Sequence, residues 1–248
     1  MVEANDAHEA TMIRFLGRFW RNGDSLPTRS GAGAARRRPD AGQATSKVFC
    51  VGRNKTGTTS LAAALRALGY RVGHQRTAEA LIEDWGRRDF RRLIDYCRSA
   101  DAFQDVPFSH DYTFQAMDAA FPGSKFILTV RSSEDEWYES FIRFHTQRLG
   151  HGRLPTPDEL KADPYVFPGW IWRVKELVHG PAEEDLFRED LYKAHYRRHN
   201  ERVQDYFRHR PDDLLVLNLA DDGAMQSLCR FLGRPWTGQA MPCLNRSA

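Results

Sequence analysis

The nine positions from Gly52 to Ser60 contain the residue types that bind an anion. Gly52 and Gly57 frame a short polar loop, Lys55 lies between them, and the run Thr58-Thr59-Ser60 adds three hydroxyl groups. An apolar run precedes the loop and an alanine- and leucine-rich run follows it. A strand, a tight glycine loop and a helix start together direct several backbone N–H groups at one point, where the helix dipole favours negative charge. The pattern predicts a phosphate-sized site; the alternative is an ordinary glycine-rich turn.

The position of the lysine indicates which kind of anion the loop would bind. The Walker A pattern, G-x-x-x-x-G-K-[ST], places a lysine directly after its second glycine. Gly52 and Gly57 keep this glycine spacing, but Thr58 occupies the lysine position and Lys55 comes two residues before Gly57. A lysine that comes before the second glycine suits a shorter anion, one without a γ-phosphate. A small-molecule kinase, which needs the later lysine, is therefore the less favoured alternative.

A second candidate for anion binding lies in the segment FPGSKFILTVRSSEDEWYESF, residues 121 to 141. The run KFILTV is the strongest strand pattern in the chain, and Arg131 follows it directly. Ligands of open α/β sheets bind at this carboxyl edge. Arg131, by paired charge-assisted hydrogen bonds, and Ser140 on the next helix can hold another phosphate. The alternative is a surface ion pair for Arg131 and a solvated Ser140.

Asp105 is the candidate proton acceptor. It ends a short apolar run beside the glycine loop, in Gln104-Asp105-Val106-Pro107. A carboxylate at that place can take the proton from a hydroxyl group. An aspartate before proline is also common in turns, which is the structural alternative. The histidines that remain candidates for the same role are His74, His110 and His145.

The motifs K-T-G-T-T-S-L, F-P-G-S-K-F-I-L-T-V-R and W-Y-E-S resemble those of sulfotransferases that use 3′-phosphoadenosine 5′-phosphosulfate (PAPS), in the bacterial and eukaryotic small-molecule branch. The resemblance implies transfer of a sulfuryl group to a hydroxyl group, in line and without a metal, with PAPS as co-substrate. It implies that the catalytic residues are Lys55 and Asp105, the latter matching a D-x-P motif. The nucleotide-binding residues that it implies are Lys55, Thr56, Gly57, Thr58, Thr59, Ser60, Arg131, Ser140 and Arg246.

The resemblance runs from about Lys47 to Arg246, with two departures from the family pattern. Asn54 stands where proline often precedes the lysine, and Ser140 follows Arg131 by nine residues rather than eight. Ser132 and Ser133 are therefore stand-ins for Ser140. Near the end, a helix pattern F-L-G-x-P and a P-x-x-N element match the same branch and bring Arg246 toward the 3′-phosphate.

Alternating strand and helix patterns from Lys47 onward predict an α/β fold. We expect the three-layer P-loop architecture, with a mainly parallel central sheet flanked by helices. The predicted strands include Tyr70–Val72, and His110–Ala120 is one of the predicted helices. Residues 150 to 168 contain four prolines and are predicted to be loop or lid. The aromatic segment YVFPGWIW, residues 165 to 172, either walls an apolar acceptor pocket or belongs to the core.

The chain of 248 residues predicts one domain, residues 47–248, preceded by an N-terminal segment, residues 1–46. Residues 8–21 have the pattern of a basic amphipathic helix, which predicts weak contact with a membrane or a partner. A glycine-, alanine- and arginine-rich linker follows. The net charge of +3 fits a small anionic ligand and does not indicate a nucleic-acid binder. The four cysteines show no C-x-x-C pair, which favours a reducing, cytoplasmic setting. A non-catalytic binding module remains a further alternative, and the acceptor is not specified.

Overall fold

The structure is a computed structural model that describes residues 46–244. A four-stranded, all-parallel sheet has the order β2-β1-β3-β4. Its strands are β1 (Val48–Cys50), β2 (Ala102–Gln104), β3 (Lys125–Val130) and β4 (Leu214–Asn218). The predicted KFILTV strand matches β3 residue for residue. Helices connect the strands, as parallel pairing requires, and the predicted α/β fold is confirmed.

The sheet separates two apolar layers, since successive side chains of a strand point to opposite faces. Phe49, Phe103 and Phe126 belong to one buried cluster. Cys50, Ala102 and Ile127 belong to the other, on the opposite face. Helices complete both clusters, so the described fold has three layers. Between residues 46 and 244 the ten α-helices are α1 (Thr58–Ala67), α2 (Gln75–Glu79), α3 (Ile82–Gly86), α4 (Arg91–Tyr96), α5 (Thr113–Ala120), α6 (Glu134–Arg148), α7 (Pro157–Ala162), α8 (Trp170–His179), α9 (Glu189–Phe207) and α10 (Ala224–Phe231).

Three local predictions differ from the structure. The predicted strand Tyr70–Val72 is reduced to one bridge, between Val72 and Ala102, and α2 begins three residues later, at Gln75. The predicted helix His110–Ala120 begins only at α5, since the two residues after His110 form a turn. The proline-rich segment contains α7, whose start has a capping box between Thr156 and Glu159.

No helix within residues 46–244 is both long and apolar enough to cross a membrane. The predicted helix at residues 8–21 and the C-terminal residues Asn245 and Arg246 lie outside the described residues.

Candidate functional site

In the loop between β1 and α1, the carbonyl groups of three consecutive residues accept hydrogen bonds from side chains. The carbonyl of Arg53 accepts a 2.5 Å hydrogen bond from the Thr56 hydroxyl group, and that of Asn54 accepts a 2.9 Å bond from the Trp137 indole. The carbonyl of Lys55 accepts a 2.9 Å bond from Nε of Arg131. Lys55 and Gly57 have φ angles of 68° and 95°, which reverse the direction of the chain. Three consecutive carbonyls are therefore held by the protein's own side chains.

The amide groups of the same loop are left without partners. Among residues 46–244, the backbone N–H groups from Asn54 to Ser60 find no hydrogen-bond acceptor. Gly57 is the N-cap of α1 and supplies no side-chain cap, and the first turn of α1 carries no acidic residue. Unsatisfied N–H groups at a helix start, with the positive end of the helix dipole, form an anion site. The loop thus has the geometry that the sequence predicts.

Gly52 allows the loop to lie directly against β3. A Cβ atom at this position would be 2.1 Å from Oγ1 of Thr129 and 2.4 Å from its carbonyl oxygen. The hydroxyl groups of Thr129 and Thr56 are 2.6 Å apart, so a hydrogen bond also joins the loop to β3 four residues after Gly52. The first glycine is therefore required by close backbone approach rather than by a positive φ angle.

The ammonium group of Lys55 lies between the loop and an aromatic wall. Its Nζ is 3.1 Å from the centroid of the Phe144 ring, close enough for a cation–π contact. Burial lowers the pKa of Lys55 to about 8, while the Asp105 charge acts in the opposite direction and Arg148 lowers the pKa further. This cation is only partly hydrated and is available to an anion at the loop.

Asp105 joins the loop to the adjacent cavity. Its Oδ2 accepts a 2.9 Å hydrogen bond from the Thr58 hydroxyl group, and its Oδ1 accepts a 3.0 Å bond from the Val106 amide. Its φ angle of 63° turns the side chain out of the line of β2. Thr58 was predicted to contact a phosphate, but here its single hydroxyl proton is directed at Asp105.

Arg131 reaches the loop, but it does not contact Ser140. Its guanidinium group bonds to the Lys55 carbonyl and forms a 3.1 Å ion pair with Glu136. The Ser140 side chain makes no hydrogen bond within the described part of the chain, although it lies one helical turn after Glu136 on the same face of α6. Of the two stand-ins, Ser133 caps α6 and Ser132 accepts a hydrogen bond from Asn218.

The remaining hydroxyl groups of the loop differ in their surroundings. Thr56 is buried and bonded within the protein, whereas Thr59 is exposed. Ser60 accepts a 3.0 Å hydrogen bond from the amide of Leu244, so the C-terminal segment passes along the start of α1. Arg246, two residues further on, lies outside the described residues.

A cavity of about 150 Å³ opens beside Lys55 and Asp105. Its wall combines aromatic side chains with a few buried polar groups, as small-molecule sites do. Trp170 lines the cavity, whereas Trp172 belongs to an apolar cluster with residues of α6. The two tryptophans therefore have different surroundings. The aromatic members of the wall are Trp137, Phe141, Phe144, Tyr165, Trp170, Phe187 and Tyr192.

The candidate histidines separate into two groups. His110 and His145 line the cavity, whereas His74 is exposed and bonded to Thr77. Nδ1 of His145 bonds to the Phe141 carbonyl, and burial lowers the pKa of His145 to about 4. His145 is therefore neutral near pH 7, and its Nδ1 is already bonded within α6.

Two functional candidates were missed by the sequence analysis. Arg53 is buried behind the loop, where it donates to the Ser109 carbonyl and to Nδ1 of both His110 and His195. Glu79, at the end of α2, lines the cavity although it lies far from every motif. Arg53 belongs to the loop segment and could have been noticed there; no sequence pattern points to Glu79.

Metal-ligand geometry is a separate question. Within residues 46–244, no group of three or more His, Cys, Asp or Glu side chains is arranged to hold a metal ion.

Comparison with known proteins places this geometry in a family. No curated protein matches the chain closely enough to count as a relative. The family model described as "Sulfotransferase domain" matches residues 47–248, which include the loop, Asp105, Arg131 and every strand of the sheet. Because the match covers most of the chain, the protein belongs to the sulfotransferase family.

Proposed function

We propose that this protein transfers a sulfuryl group from PAPS to a hydroxyl group of a small-molecule acceptor. One observation carries the proposal: the unpartnered amides at the start of α1 lie beside Lys55, and Lys55 and Asp105 line one cavity. An anion-binding loop next to a pocket with a carboxylate is the arrangement that donor and acceptor require. PAPS, when bound, supplies a sulfuryl group that moves from its phosphate oxygen to the acceptor oxygen.

The loop residues account for the 5′-phosphate. The amides from Asn54 to Ser60 and the ammonium group of Lys55 bind the phosphate and offset the negative charge that grows on the bridging oxygen. Positioning and charge stabilisation are the main contributions expected for such a transfer, as in phosphoryl transfer. The predicted nucleotide contacts of Thr59 and Ser60 stay part of this proposal.

Asp105 is the proposed proton acceptor. As the acceptor oxygen forms its bond to sulfur, its proton passes to the Asp105 carboxylate, and the bond from sulfur to the phosphate oxygen breaks. Thr58 holds Oδ2 and the Val106 amide holds Oδ1, so the carboxylate is oriented before the acceptor binds. In this role Thr58 is a positioning residue for Asp105.

Arg131 and Ser140 are the proposed 3′-phosphate ligands. Arg131 is already held near the loop by the Lys55 carbonyl. Ser140 offers a hydroxyl group without a partner in the described chain, whereas Ser132 and Ser133 are engaged elsewhere. This favours Ser140 over the two stand-ins. A cytoplasmic setting and weak contacts through residues 8–21 stay proposals of the sequence alone.

Calorimetry with 3′-phosphoadenosine 5′-phosphate, and separately with ATP and magnesium, tests the donor. We expect micromolar binding of the first and much weaker binding of the second. Binding of ATP with magnesium alone would support a small-molecule kinase and contradict the proposal. Transfer of labelled sulfate from PAPS to a panel of hydroxyl compounds then separates an enzyme from a non-catalytic binding module.

A further inference from the structure

The cavity beside Asp105 contains a second polar site, formed by Glu79 and His110. Both side chains are 5% exposed, and both line the cavity. Within the described residues, Oε2 of Glu79 and Nε2 of His110 have no hydrogen-bond partner. Buried polar atoms are almost always paired in folded proteins, so these two unpaired atoms, like Nε of Arg53 and Nδ1 of His179 on the same cavity wall, indicate a missing ligand.

Glu79 presents a hydrogen-bond acceptor to the cavity. Its other oxygen, Oε1, accepts bonds from the Tyr165 hydroxyl group at 3.2 Å and from Gln75 at 3.5 Å. Nε of Arg76 lies 3.9 Å from Oε2, too far for a hydrogen bond. Burial and the Asp105 charge raise the pKa of Glu79 to about 7, so above that pH its Oε2 is an acceptor only.

His110 presents a hydrogen-bond donor. Its Nδ1 lies 2.9 Å from NH1 of Arg53, and a guanidinium group can only donate. Nδ1 must therefore accept, and in the neutral ring the proton is on Nε2. Burial and the Arg53 charge hold the pKa of His110 well below its ordinary value, so the ring is neutral.

Glu79 and His110 contact one buried apolar cluster, through different tryptophans. The His110 ring packs on Trp85, with centroids 4.7 Å apart, and the Trp170 indole donates to the Glu79 carbonyl. Trp85 and Trp170 belong to one buried cluster, together with Val106, the neighbour of Asp105. A hydroxyl group can donate to Glu79 and accept from His110 at once. An ammonium group can donate but not accept, so it would leave Nε2 of His110 unpaired.

We propose that the acceptor is a compact diol, with one hydroxyl group at Asp105 and the second bound between Glu79 and His110. This inference rests on the proposed sulfuryl transfer. The cavity of about 150 Å³ suits a single six-membered ring, since an engineered cavity of that volume binds benzene. Glu79 and His110 thereby determine specificity, because a site built to bond a hydroxyl group rejects the analogue that lacks it.

Calorimetry with matched phenols tests the inference on the full-length protein. The nucleotide 3′-phosphoadenosine 5′-phosphate is titrated first. The phenols are then titrated into protein that is saturated with this nucleotide, or into protein alone if the nucleotide does not bind. The probes are the three dihydroxybenzenes and the three methylphenols, paired by the position of the second substituent. We expect at least one diol to bind about tenfold tighter than its methyl counterpart. In Glu79→Leu that preference should fall to within about twofold, whereas Glu79→Gln, which keeps an accepting oxygen, and the surface control Glu83→Gln should retain it.

Equal binding in all three pairs, or an undiminished preference in Glu79→Leu, overturns the inference. Tighter binding of hydroxybenzylamines than of every diol also overturns it, in favour of a cationic acceptor. If Glu79→Leu does not fold, carboxyl ¹³C NMR of the wild type decides: the Glu79 resonance must shift with the diol and not with the methylphenol. Failure of nucleotide binding counts against the proposed function, whereas loss of the diol preference in nucleotide-bound protein counts against this inference alone.

Discussion

The hydroxyl group of Thr58 donates a 2.9 Å hydrogen bond to Oδ2 of Asp105. One residue begins the helix of the anion-binding loop, and the other follows β2 and faces the cavity. The bond therefore ties the proposed proton acceptor directly to the element that is proposed to bind the donor. Since a hydroxyl group has a single proton, Thr58 cannot give the same proton to a phosphate while this bond exists.

Replacing Asp105 by asparagine should abolish most of the transfer and leave nucleotide binding intact. Asn keeps the shape of the side chain but accepts a proton poorly, and general-base catalysis contributes roughly 10²- to 10⁴-fold. We expect kcat to fall at least about a hundredfold, with the Kd for 3′-phosphoadenosine 5′-phosphate within about threefold of wild type. Steady-state assays and calorimetry give the two values. Unchanged kcat would move the base to another residue, with the pH profile of the variant as the guide.

Thr58→Val should lower kcat by roughly tenfold, since a hydrogen bond to a charged group contributes about 1.5–3 kcal/mol. Valine keeps the volume of threonine but cannot orient Asp105. In the double variant with Asp105→Asn, the loss should equal that of Asp105→Asn alone, because Thr58 acts through Asp105. Thr237→Val, at an exposed threonine bonded to Gln239 and away from the loop, is the matched control. Additive losses would mean that Thr58 contacts the donor independently.

Nucleotide affinity should fall as the pH rises through about 8. Lys55 has a pKa lowered to about 8 by burial, so it loses its charge above that pH, whereas a phosphate monoester is fully ionised well below it. We expect the Kd for 3′-phosphoadenosine 5′-phosphate to increase roughly tenfold between pH 7 and 9, with proton uptake on binding near pH 8.5. Calorimetry in buffers of different ionisation enthalpy measures both quantities.

Lys55→Met supplies the comparison for that pH series. The variant should bind roughly 10- to 100-fold more weakly at pH 7, as expected when a charge-assisted contact is lost. Its affinity should no longer depend on pH between 7 and 9. Lys193→Met, which removes a lysine paired with Asp135 and Glu189, controls for the loss of one positive charge. A pH dependence that persists in Lys55→Met would assign the titration to another group.

Arg131→Leu should weaken 3′-phosphoadenosine 5′-phosphate more than adenosine 5′-monophosphate. Both nucleotides lose the support that Arg131 gives to the Lys55 carbonyl, but only the first loses a ligand of its 3′-phosphate. We expect losses of about 30-fold and about threefold, respectively, consistent with one further charge-assisted contact. Ser140→Ala should act in the same direction by a few fold. Equal losses for both nucleotides would limit Arg131 to shaping the loop.

Glu136→Gln, which frees Arg131 from its ion pair, should leave both affinities equal or improved.

Glu79→Gln should stabilise the protein at alkaline pH and leave stability unchanged at acidic pH. The folded-state pKa of Glu79 is raised from an ordinary value of 4.5 to about 7, so its favourable contribution is complete below pH 4.5 and is lost as the pH rises through 7. At 1.36 kcal/mol per pKa unit, the contribution amounts to about 3 kcal/mol. Urea unfolding of both proteins at pH 5 and pH 8 measures it. An equal difference at both pH values would contradict a buried, titrating carboxyl group.

The sequence alone determined the glycine loop between strand and helix, the KFILTV strand, the helix after it and the α/β class. These features depend on neighbouring residues: glycine spacing, β-branched runs and helix caps act over a few positions, so their pattern can be read without the fold. It also placed Lys55, Asp105 and Arg131 at strand ends or in the loop, where a parallel sheet collects its ligand-binding residues. What it could not assign was the partner of each side chain.

Tertiary structure alone decided those partners. Thr58 turned toward Asp105, Arg131 bonded to the Lys55 carbonyl, and Glu79 and His110 met in one cavity, although the residues of each pair lie 31 to 76 positions apart along the chain. Glu79 lies in a short helix with no motif around it. In the sequence Arg53 is an ordinary polar loop residue, and only the fold buries it in contact with His110 and His195. Such encounters depend on how helices pack over the sheet, and packing depends on the whole chain rather than on local sequence.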